Sequence, residues 1–332
     1  MSMATASTPQ ASIDTILQVA AGAVLPRCLH AVANLGVADA LSETPQSADT
    51  LAESTGTDPD ALARALRLLA ANGVFEYRAG LFAHTPASRL LRSDHPQSLR
   101  PLVRMFGLPG FWTMIGDIEY SVKTGIPAGE HVFEGGSWAY LSADLEASRT
   151  FDAAMTAKAH GQVAGVLASY DFSGAKTIGD IGGGRGHLLR AILDKVPSAS
   201  GVLFDQPHVV DQVDASDRLT TQGGDFFKDN LPACDMYLLM EVIHDWDDQR
   251  AGQILNGVRA AAVPGARVLL IEALIPEDSG PSWPLTLDLW MLTISGKQRT
   301  LPEYAALLAG AGFRFTKVVD TGAGVSIVEG TV

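Results

Sequence analysis

A glycine-rich segment preceded by an acid is the part of the sequence best suited to chemistry. It reads Asp180-Ile-Gly-Gly-Gly-Arg-Gly186, and glycines at this density let the backbone turn sharply and let a ligand approach it closely. A dinucleotide-binding loop needs Gly-x-Gly-x-x-Gly, but the last glycine of that pattern, counted from Gly182, falls on His187. Without a pyrophosphate to bind, the acid ahead of the glycines favours a cationic ligand. Tight strand-to-helix turns also use such glycines, so both interpretations stand for the loop alone.

Two further acids follow predicted strands at comparable places. Asp205 ends the second strand, where a carboxylate can accept hydrogen bonds from both hydroxyls of a ribose. Asp225 ends the next apparent strand segment, and its carboxylate can accept from an exocyclic amine while Phe226 flanks a base. Each acid alone is more typical of a solvated turn. Three acids at successive strand ends predict a nucleoside-containing ligand.

The elements that must hold these residues alternate between strand and helix from residue 175 onward. Such alternation predicts an α/β fold with a doubly wound, Rossmann-like sheet, and ligands of such sheets bind at the carboxyl ends of the strands. The pattern predicts strands over 175–181, 200–204, 236–240 and 267–273, helices over 187–195, 248–262 and 302–311, and a terminal hairpin of 315–320 with 326–328.

The N-terminal part is predicted to be helical, from about residue 11 to residue 92. Asp58 before Pro59 is a typical N-cap with proline in the first turn, and leucines then recur at helical spacing. Two short segments around a turn at Gly80 complete a winged-helix pattern. Residues 42–92 carry six acids against five bases, so this unit is not expected to bind nucleic acid.

Composition excludes several other classes of protein. The 332 residues carry a formal net charge of -13 and contain only two cysteines, Cys28 and Cys234. An acidic chain does not attract phosphate backbones or anionic lipids over its whole surface, and two distant cysteines predict neither a disulfide framework nor a metal site. The first ten residues are expected to form a short frayed tail. We therefore predict a soluble, cytoplasmic protein without a membrane span.

Taken together, these motifs resemble the small-molecule O-methyltransferases of the caffeic-acid and hydroxyindole type, including bacterial members that act on polyketides and phenazines. The resemblance covers nearly the whole chain. It is carried by the glycine loop and by four further segments, Phe204-Asp-Gln-Pro207, Gly224-Asp-Phe-Phe227, His244-Asp-Trp-Asp247 and Gly296-Lys-Gln-Arg-Thr300.

The resemblance implies a class I methyltransferase fold, S-adenosylmethionine as cofactor, no metal, and a homodimer formed through an N-terminal winged-helix domain that does not bind DNA. Met240 is a departure, since relatives often have a polar residue there. The cofactor contacts implied are Asp180, Gly182, Gly184, Asp205, Gln206, Asp225, Phe226, Met240 and Trp246. The implied acceptor chamber comprises Phe151, Met155, Ile243, Trp290, Met291 and Trp112, although packing in an ordinary core is an alternative for each.

The same resemblance makes His244 the general base that deprotonates the acceptor, with Glu272 as its charged partner. A phenol has a pKa of ~10 and histidine of ~6.5, so full proton transfer is uphill by roughly 5 kcal/mol. Alignment supplies about 7–11 kcal/mol, so transfer concerted with methyl attack is feasible. Relatives often have a second glutamate where this chain has Gln298, which favours acidic phenols as acceptors.

The expected organisation is a dimerisation domain over residues 1–100, a helical region over 101–168 that contributes to the acceptor pocket, and a catalytic domain over 169–332. The stretch from Ile16 to Leu41 is more apolar than an exposed helix of a monomer should be, which supports the homodimer. Three alternatives remain: methyl transfer to nitrogen, a relative that binds the cofactor for hydroxylation or decarboxylation, and a winged-helix regulator that senses a small molecule.

Overall fold

The computed structural model describes residues 9–278 and 280–332. The tail that was predicted to fray lies outside the described residues as far as residue 8, and Pro9 already begins the first helix. The chain divides into two compact units. The first comprises the chain up to Trp112 together with Asp144–Ala157, and the second comprises Thr113–Ala143 and Lys158–Val332. The three-part division at residues 100 and 168 stays a prediction.

The first unit is built mainly from short helices. Its elements are α1 (Pro9–Ala20), α2 (Val24–Asn34), α3 (Val37–Ala40), α4 (Ala48–Thr55), α5 (Pro59–Ala71), β1 (Phe75–Arg78), β2 (Leu81–His84), α6 (Pro86–Arg89) and α7 (Arg100–Phe106). Helix α8 (Pro109–Gly116) begins in this unit, and helix α12 (Leu145–Ser169) runs from it into the second unit.

The predicted helix, turn, helix and hairpin are observed in this unit. Asp58 caps α5 by accepting from the Ala61 N–H at 2.8 Å, and α4 ends at Gly56 in the left-handed conformation. The leucines at helical spacing in α5 are buried, which confirms the pattern. Strands β1 and β2 pair antiparallel with Phe75 opposite His84.

The apolar stretch from Ile16 to Leu41 divides into an exposed part and a buried part. Val32, Val37 and Leu41 are buried in the core of the first unit. By contrast, Ile16 is 68% exposed on α1. The apolarity of this stretch therefore has two causes, and its exposed apolar side chains, which lie mainly on α1 and include Val24 and Leu35, are left to explain by contact with another molecule.

The second unit contains the larger sheet and the helices that cover it. Its elements are α9 (Ile118–Thr124), α10 (Ala128–Val132), α11 (Gly136–Ala143), β3 (Thr177–Ile181), α13 (His187–Lys195), β4 (Ser200–Asp205), α14 (Pro207–Val210), β5 (Leu219–Gly223), β6 (Met236–Met240), α15 (Asp248–Ala261), β7 (Arg267–Glu272), β8 (Leu274–Ile275), α16 (Trp283–Ile294), β9 (Arg299–Thr300), α17 (Leu301–Gly310), β10 (Arg314–Asp320) and β11 (Ser326–Thr331).

Seven strands form the central sheet in the order β10-β11-β7-β6-β3-β4-β5. The five strands from β7 to β5 in that order are parallel, and the terminal hairpin joins β7 antiparallel. The sheet is therefore mixed, as the predicted terminal hairpin requires. β3 lies at the centre of the five parallel strands, and the chain passes from it first to β4 on one side and later to β6 on the other. The carboxyl ends of β3, β4 and β6 therefore border the crevice where such sheets bind ligands.

Side chains of the central strands alternate between two separate cores, one on each face. In β6, Met236 and Leu238 lie in one core, whereas Tyr237 and Leu239 lie in the other. Helix α13 covers the first core, and helices α15 and α17 cover the second. This period of two confirms the predicted doubly wound sheet and fixes which residues reach its carboxyl edge.

Among the described residues, no single helix is long and apolar enough to cross a bilayer. The pair α1 and α2, which is bent by 41°, meets the length and composition test when taken together.

Candidate active site

The glycine loop follows β3 directly and leaves room for a ligand. Gly182 and Gly184 have φ of +69° and +59°, a conformation that other residues adopt only with strain. A Cβ at Gly184 would meet nothing within 4 Å, whereas one at Gly182 would clash with Val242 at 2.9 Å. The loop is therefore packed against the residue that follows the β6 edge on one side and open on the other.

Asp180 at the end of β3 is 1% exposed. Its Oδ2 has no hydrogen-bond partner within residues 9–278 and 280–332. Burial, together with the negative charge of Asp205, raises the pKa of Asp180 to about 7. A buried carboxyl of this kind is costly for the fold, and a ligand that carries positive charge would relieve the cost.

Asp205 ends β4 and connects it to the glycine loop. Its Oδ2 accepts from the Gly184 N–H at 2.8 Å, and its Oδ1 accepts from the Gln206 N–H at 2.7 Å. Each carboxylate oxygen can accept a further hydrogen bond, so the group can still receive two hydroxyls. Asp205 and Gln206 are thus fixed at the edge where a ribose was predicted to bind.

Aromatic side chains lie at the next strand end. Asp225 follows β5 by two residues, so it lies in the turn and not at the strand end itself; its Oδ1 accepts from the Phe227 N–H at 2.9 Å. The Trp246 ring meets Phe226 edge-on at 5.9 Å and Phe227 at 4.8 Å. Phe226 and Trp246, both predicted to flank the base of the cofactor, are brought together.

His244 lies in a 3-10 helix, Ile243–Asp245, just beyond β6. Glu272, the last residue of β7, is fully buried, and its Oε1 accepts from the Ile243 N–H at 2.9 Å and the His244 N–H at 3.3 Å. Its Oε2 lies 3.3 Å from His244 Nδ1. Gln298 Nε2 lies 2.7 Å from the same nitrogen. The structure therefore brings together the predicted base, its predicted partner and Gln298, the residue that replaces the glutamate often found in relatives.

The segment after α16 stabilises the histidine turn through hydrogen bonds to its backbone. The Lys297 N–H donates to the His244 carbonyl at 2.8 Å. Arg299, which has no exposed surface, donates to the Ile243 carbonyl at 3.2 Å and to the Trp246 carbonyl at 2.7 Å. Its Nε also donates to Asp248 at 2.9 Å. This buried guanidinium ties both ends of the turn, so it positions His244 without touching its ring.

Electrostatics at the histidine are dominated by burial. Burial lowers the pKa of His244 to about 4, since the charge of Glu241 offsets only part of the loss of water and the cations Lys158 and Arg299 add to it. Burial raises the pKa of Glu272 well above its usual range, with help from Glu241 and Asp245. The imidazole is therefore neutral, and the carboxyl is a strong proton acceptor when ionised.

The residues predicted to line an acceptor chamber fall in both units. Phe151 and Met155 lie on α12 and, like Trp112, belong to the first unit, where the Trp112 ring packs against Arg27 at 4.8 Å. Three others belong to the second unit, where Ile243 is completely buried in a core and Trp290 and Met291 lie on α16. Their role toward an acceptor stays a prediction.

Three polar residues near His244 were not found from the sequence. Asp245 Oδ1 lies 3.4 Å from His244 Nε2, the nitrogen on the opposite side of the ring from Glu272. Glu241, three residues before the histidine, pairs with Lys158 of α12 at 2.5 Å. Asp245 stood inside the quoted motif and could have been singled out, whereas nothing in the sequence links Lys158 to Glu241.

The residues at this edge fit S-adenosylmethionine. The open side of Gly184, the buried Asp180 oxygen and the carboxylate of Asp205 offer a close backbone approach, a negative charge and acceptors for hydroxyls. Within the described part of the chain, no three His, Cys, Asp or Glu side chains are arranged to hold a metal ion. The fold and this edge define a class I methyltransferase.

Comparison with known proteins gives the family. The O-methyltransferase domain matches residues 116–314, and the O-methyltransferase dimerisation domain matches residues 17–94. The chain belongs to the S-adenosylmethionine-dependent O-methyltransferase family of secondary metabolism.

Relatives and solved structures match over almost the full length. Phenazine O-methyltransferase of Lysobacter antibioticus is 39% identical over 95% of this chain and 94% of its own. Phenazine-1-carboxylate N-methyltransferase of Pseudomonas aeruginosa is 32% identical over 93% and 94%. The structure of CalO1, a methyltransferase in calicheamicin biosynthesis in its S-adenosylhomocysteine-bound form, has a TM-score of 0.89 with 34% identity over 98% of this chain and 99% of that one.

Proposed function

We propose that this methyltransferase acts on a hydroxyl of an aromatic small molecule, with His244 as the general base and Glu272 as its charged partner. The observation that carries the proposal is the buried contact of Glu272 with His244 Nδ1 at the edge that the glycine loop shares. S-adenosylmethionine, when bound, supplies a methyl group that is already activated for attack. The protein must therefore orient the acceptor and take its proton.

The position of one proton decides whether His244 can act. A free lone pair on Nε2 requires the proton on Nδ1, the nitrogen that lies 3.3 Å from Glu272 Oε2. An amide N–H of Gln298 pointing at Nδ1 opposes that tautomer, whereas its oxygen in the same place supports it. Gln298 Oε1 is buried without a hydrogen-bond partner among the described residues. Exchanging the positions of the amide oxygen and nitrogen lets this oxygen accept from the Nδ1–H and stabilises the tautomer in which Nε2 can act as the base.

The low pKa of His244 restricts the acceptor. With a histidine pKa of about 4 and a phenol pKa of ~10, full proton transfer is uphill by roughly 8 kcal/mol. This exceeds the value expected for an ordinary histidine and lies within the ~7–11 kcal/mol that alignment can supply. Proton transfer must therefore accompany methyl attack, and acidic phenols are the preferred acceptors.

The names of relatives support an aromatic acceptor. The Lysobacter relative is a phenazine O-methyltransferase. The Pseudomonas relative is named an N-methyltransferase, and a weakly basic histidine also suits a ring nitrogen that has no proton to lose. Transfer to nitrogen is accordingly the second candidate.

Further roles belong to the same proposal. The edge residues Asp180, Gly182, Gly184, Asp205, Gln206, Asp225, Phe226, Met240 and Trp246 bind the cofactor, and Ile243, Trp290 and Met291 of the second unit contact the acceptor. The match to the dimerisation domain and the exposed apolar side chains of α1 support a homodimer.

A panel of acceptors with methyl-labelled cofactor tests the proposal. It should contain hydroxylated phenazines, flavonoids, anthraquinones and simple phenols, each paired with an analogue in which an amine or a ring nitrogen replaces the hydroxyl. Label on hydroxylated compounds alone supports O-methylation. Transfer confined to nitrogen would favour the second candidate, and an absence of labelled product in both classes of compound would overturn both candidates.

A further inference from the structure

A buried cluster of polar side chains lies beside the catalytic residues and has no part in the proton transfer. Lys158 Nζ lies 2.5 Å from Glu241 Oε1, and the two side chains are only 17% and 14% exposed. Gln162 is 6% exposed and also bonds Glu241. Because Lys158 and Gln162 are four residues apart on α12, they lie on one face of that helix.

The backbone at Glu241 is held in an unfavourable conformation. Its φ is +54°, in the left-handed region that residues with a Cβ rarely adopt. Such strain persists only where the surroundings determine the conformation, and it is concentrated at functional sites. Along the chain, Glu241 follows Met240, a predicted cofactor contact, and precedes the turn that carries His244.

Two contacts connect the elements that carry the cluster to the glycine loop. On α12 the His160 ring, which lies on a different face of the helix from Lys158 and Gln162, meets the His187 ring at 5.4 Å, and His187 is the first residue after the loop. On the other side, Gly182 of the loop is packed against Val242, the residue after Glu241. The helix and the β6 edge therefore each contact the glycine loop or the residue that follows it.

The surroundings of Glu241 favour its ionised form. Burial is the largest single influence and works to raise the pKa of Glu241, but Lys158, His244 and Gln162 together outweigh burial, and the pKa lies below its usual value. A buried ion pair adds little net stability, since loss of water offsets the attraction. Gln162 Oε1 is buried without a hydrogen-bond partner within the described residues. The cluster is thus poorly explained by packing alone.

We propose that Lys158, Glu241 and Gln162 bind the amino-acid end of S-adenosylmethionine. The lysine ammonium takes its carboxylate, and the glutamate carboxylate with the free Gln162 oxygen takes its ammonium. A neighbouring cation and anion match a zwitterion in charge, and charge-assisted hydrogen bonds of this kind are the strong ones. The inference rests on the cofactor and not on the identity of the acceptor or on His244.

Two ligands that differ only in this end test the inference by calorimetry without any acceptor. S-adenosylhomocysteine carries the amino-acid end, and 5′-methylthioadenosine lacks it. Lys158→Met should weaken binding of S-adenosylhomocysteine by about 10- to 100-fold and leave binding of methylthioadenosine unchanged. Glu241→Gln, which keeps size and shape, should weaken the first ligand selectively in the same direction.

The matched control is Lys123→Met. Lys123 forms an ion pair of the same 2.5 Å length with Glu119 on α9, but both side chains are exposed, so neither affinity should change. Equal weakening of both ligands in Lys158→Met and Glu241→Gln would mean that the pair only holds the fold, and unchanged affinities would mean that the amino-acid end binds elsewhere. Either result overturns the inference. If Lys158→Met does not fold, Glu241→Gln decides alone.

Discussion

Glu272→Gln separates charge from shape at the centre of the site. The amide keeps an oxygen for the Ile243 and His244 N–H groups, which bond Oε1 at 2.9 and 3.3 Å. It removes the negative charge that Glu272, when ionised, places 3.3 Å from Nδ1. At an effective dielectric constant of ~20, unit charges at that distance interact by about 5 kcal/mol. With the proton about half transferred, the transition state loses about 2–3 kcal/mol, so kcat should fall by about 10²-fold.

The assay is the single-turnover rate of methyl transfer, measured for the parent and the variant across a range of pH with two acceptors. A weakly acidic phenol should show the full defect below its pKa, because its proton must move to His244. A phenol that is ionised at the assay pH should show little defect. For either acceptor, the defect should shrink as pH rises toward the pKa of the hydroxyl.

Thermal melting provides the control for this variant. Burial raises the pKa of Glu272 well above the usual value. The contribution of this group to the stability of the parent is therefore fully present below the unfolded pKa of ~4.3 and is lost as pH rises through the raised pKa. Glutamine does not titrate, so the variant should melt no lower than the parent at neutral pH. A stable variant that turns over every acceptor at the parent rate at every pH would refute the role given to Glu272.

Three further predictions concern cofactor binding, stability and assembly. Asp205→Ala should weaken S-adenosylhomocysteine about 10- to 100-fold, since a charged acceptor of the ribose is lost; calorimetry with unchanged affinity would contradict the assignment, and NAD should give no heat. Asp180 has its pKa raised from 3.8 to about 7, so the parent loses stability as pH rises between those values. Asp180→Asn should therefore stabilise the ligand-free protein by at most about 4 kcal/mol at pH 8 and by nothing near pH 4, which urea unfolding at both pH values checks; an equal effect at both would show that charge is not the cause. The full chain should scatter light as a dimer at micromolar concentration, and Ile16→Glu with Leu17→Glu, both on the exposed face of α1, should give monomers while the equally exposed Val122→Glu does not; a parent monomer would contradict the proposal.

The sheet was predictable because short apolar strands alternate with helices along the chain, and its central strands are buried almost throughout. Met236–Met240 and His187–Lys195 have the predicted bounds, and the glycine loop marked where the first strand ends. Parallel strands all end at one edge, so the order of residues along the chain was enough to bring Asp205, Asp225 and His244 to that edge.

Tertiary contacts between distant residues were not predictable in the same way. The pair of Lys158 with Glu241 joins α12 to the β6 edge, and no spacing in one sequence reports such a contact. Apolar residues are equally uninformative, because a chamber wall and a core need the same side chains. Ile243, expected in the acceptor chamber, has no exposed surface in the structure, and the stretch from Ile16 to Leu41 is partly core.

The central claim is that His244 removes a proton from the acceptor, and His244→Ala tests it most directly. The measurement is the ratio of parent to variant turnover for a series of phenols with graded pKa at one pH, with cofactor affinity and melting temperature matched to the parent. The ratio should reach about 10²–10⁴ for the weakest acids and fall toward one as the acceptor becomes ionised. A ratio that is the same for every phenol would mean that His244 only positions the acceptor, and a ratio of one throughout would contradict the mechanism.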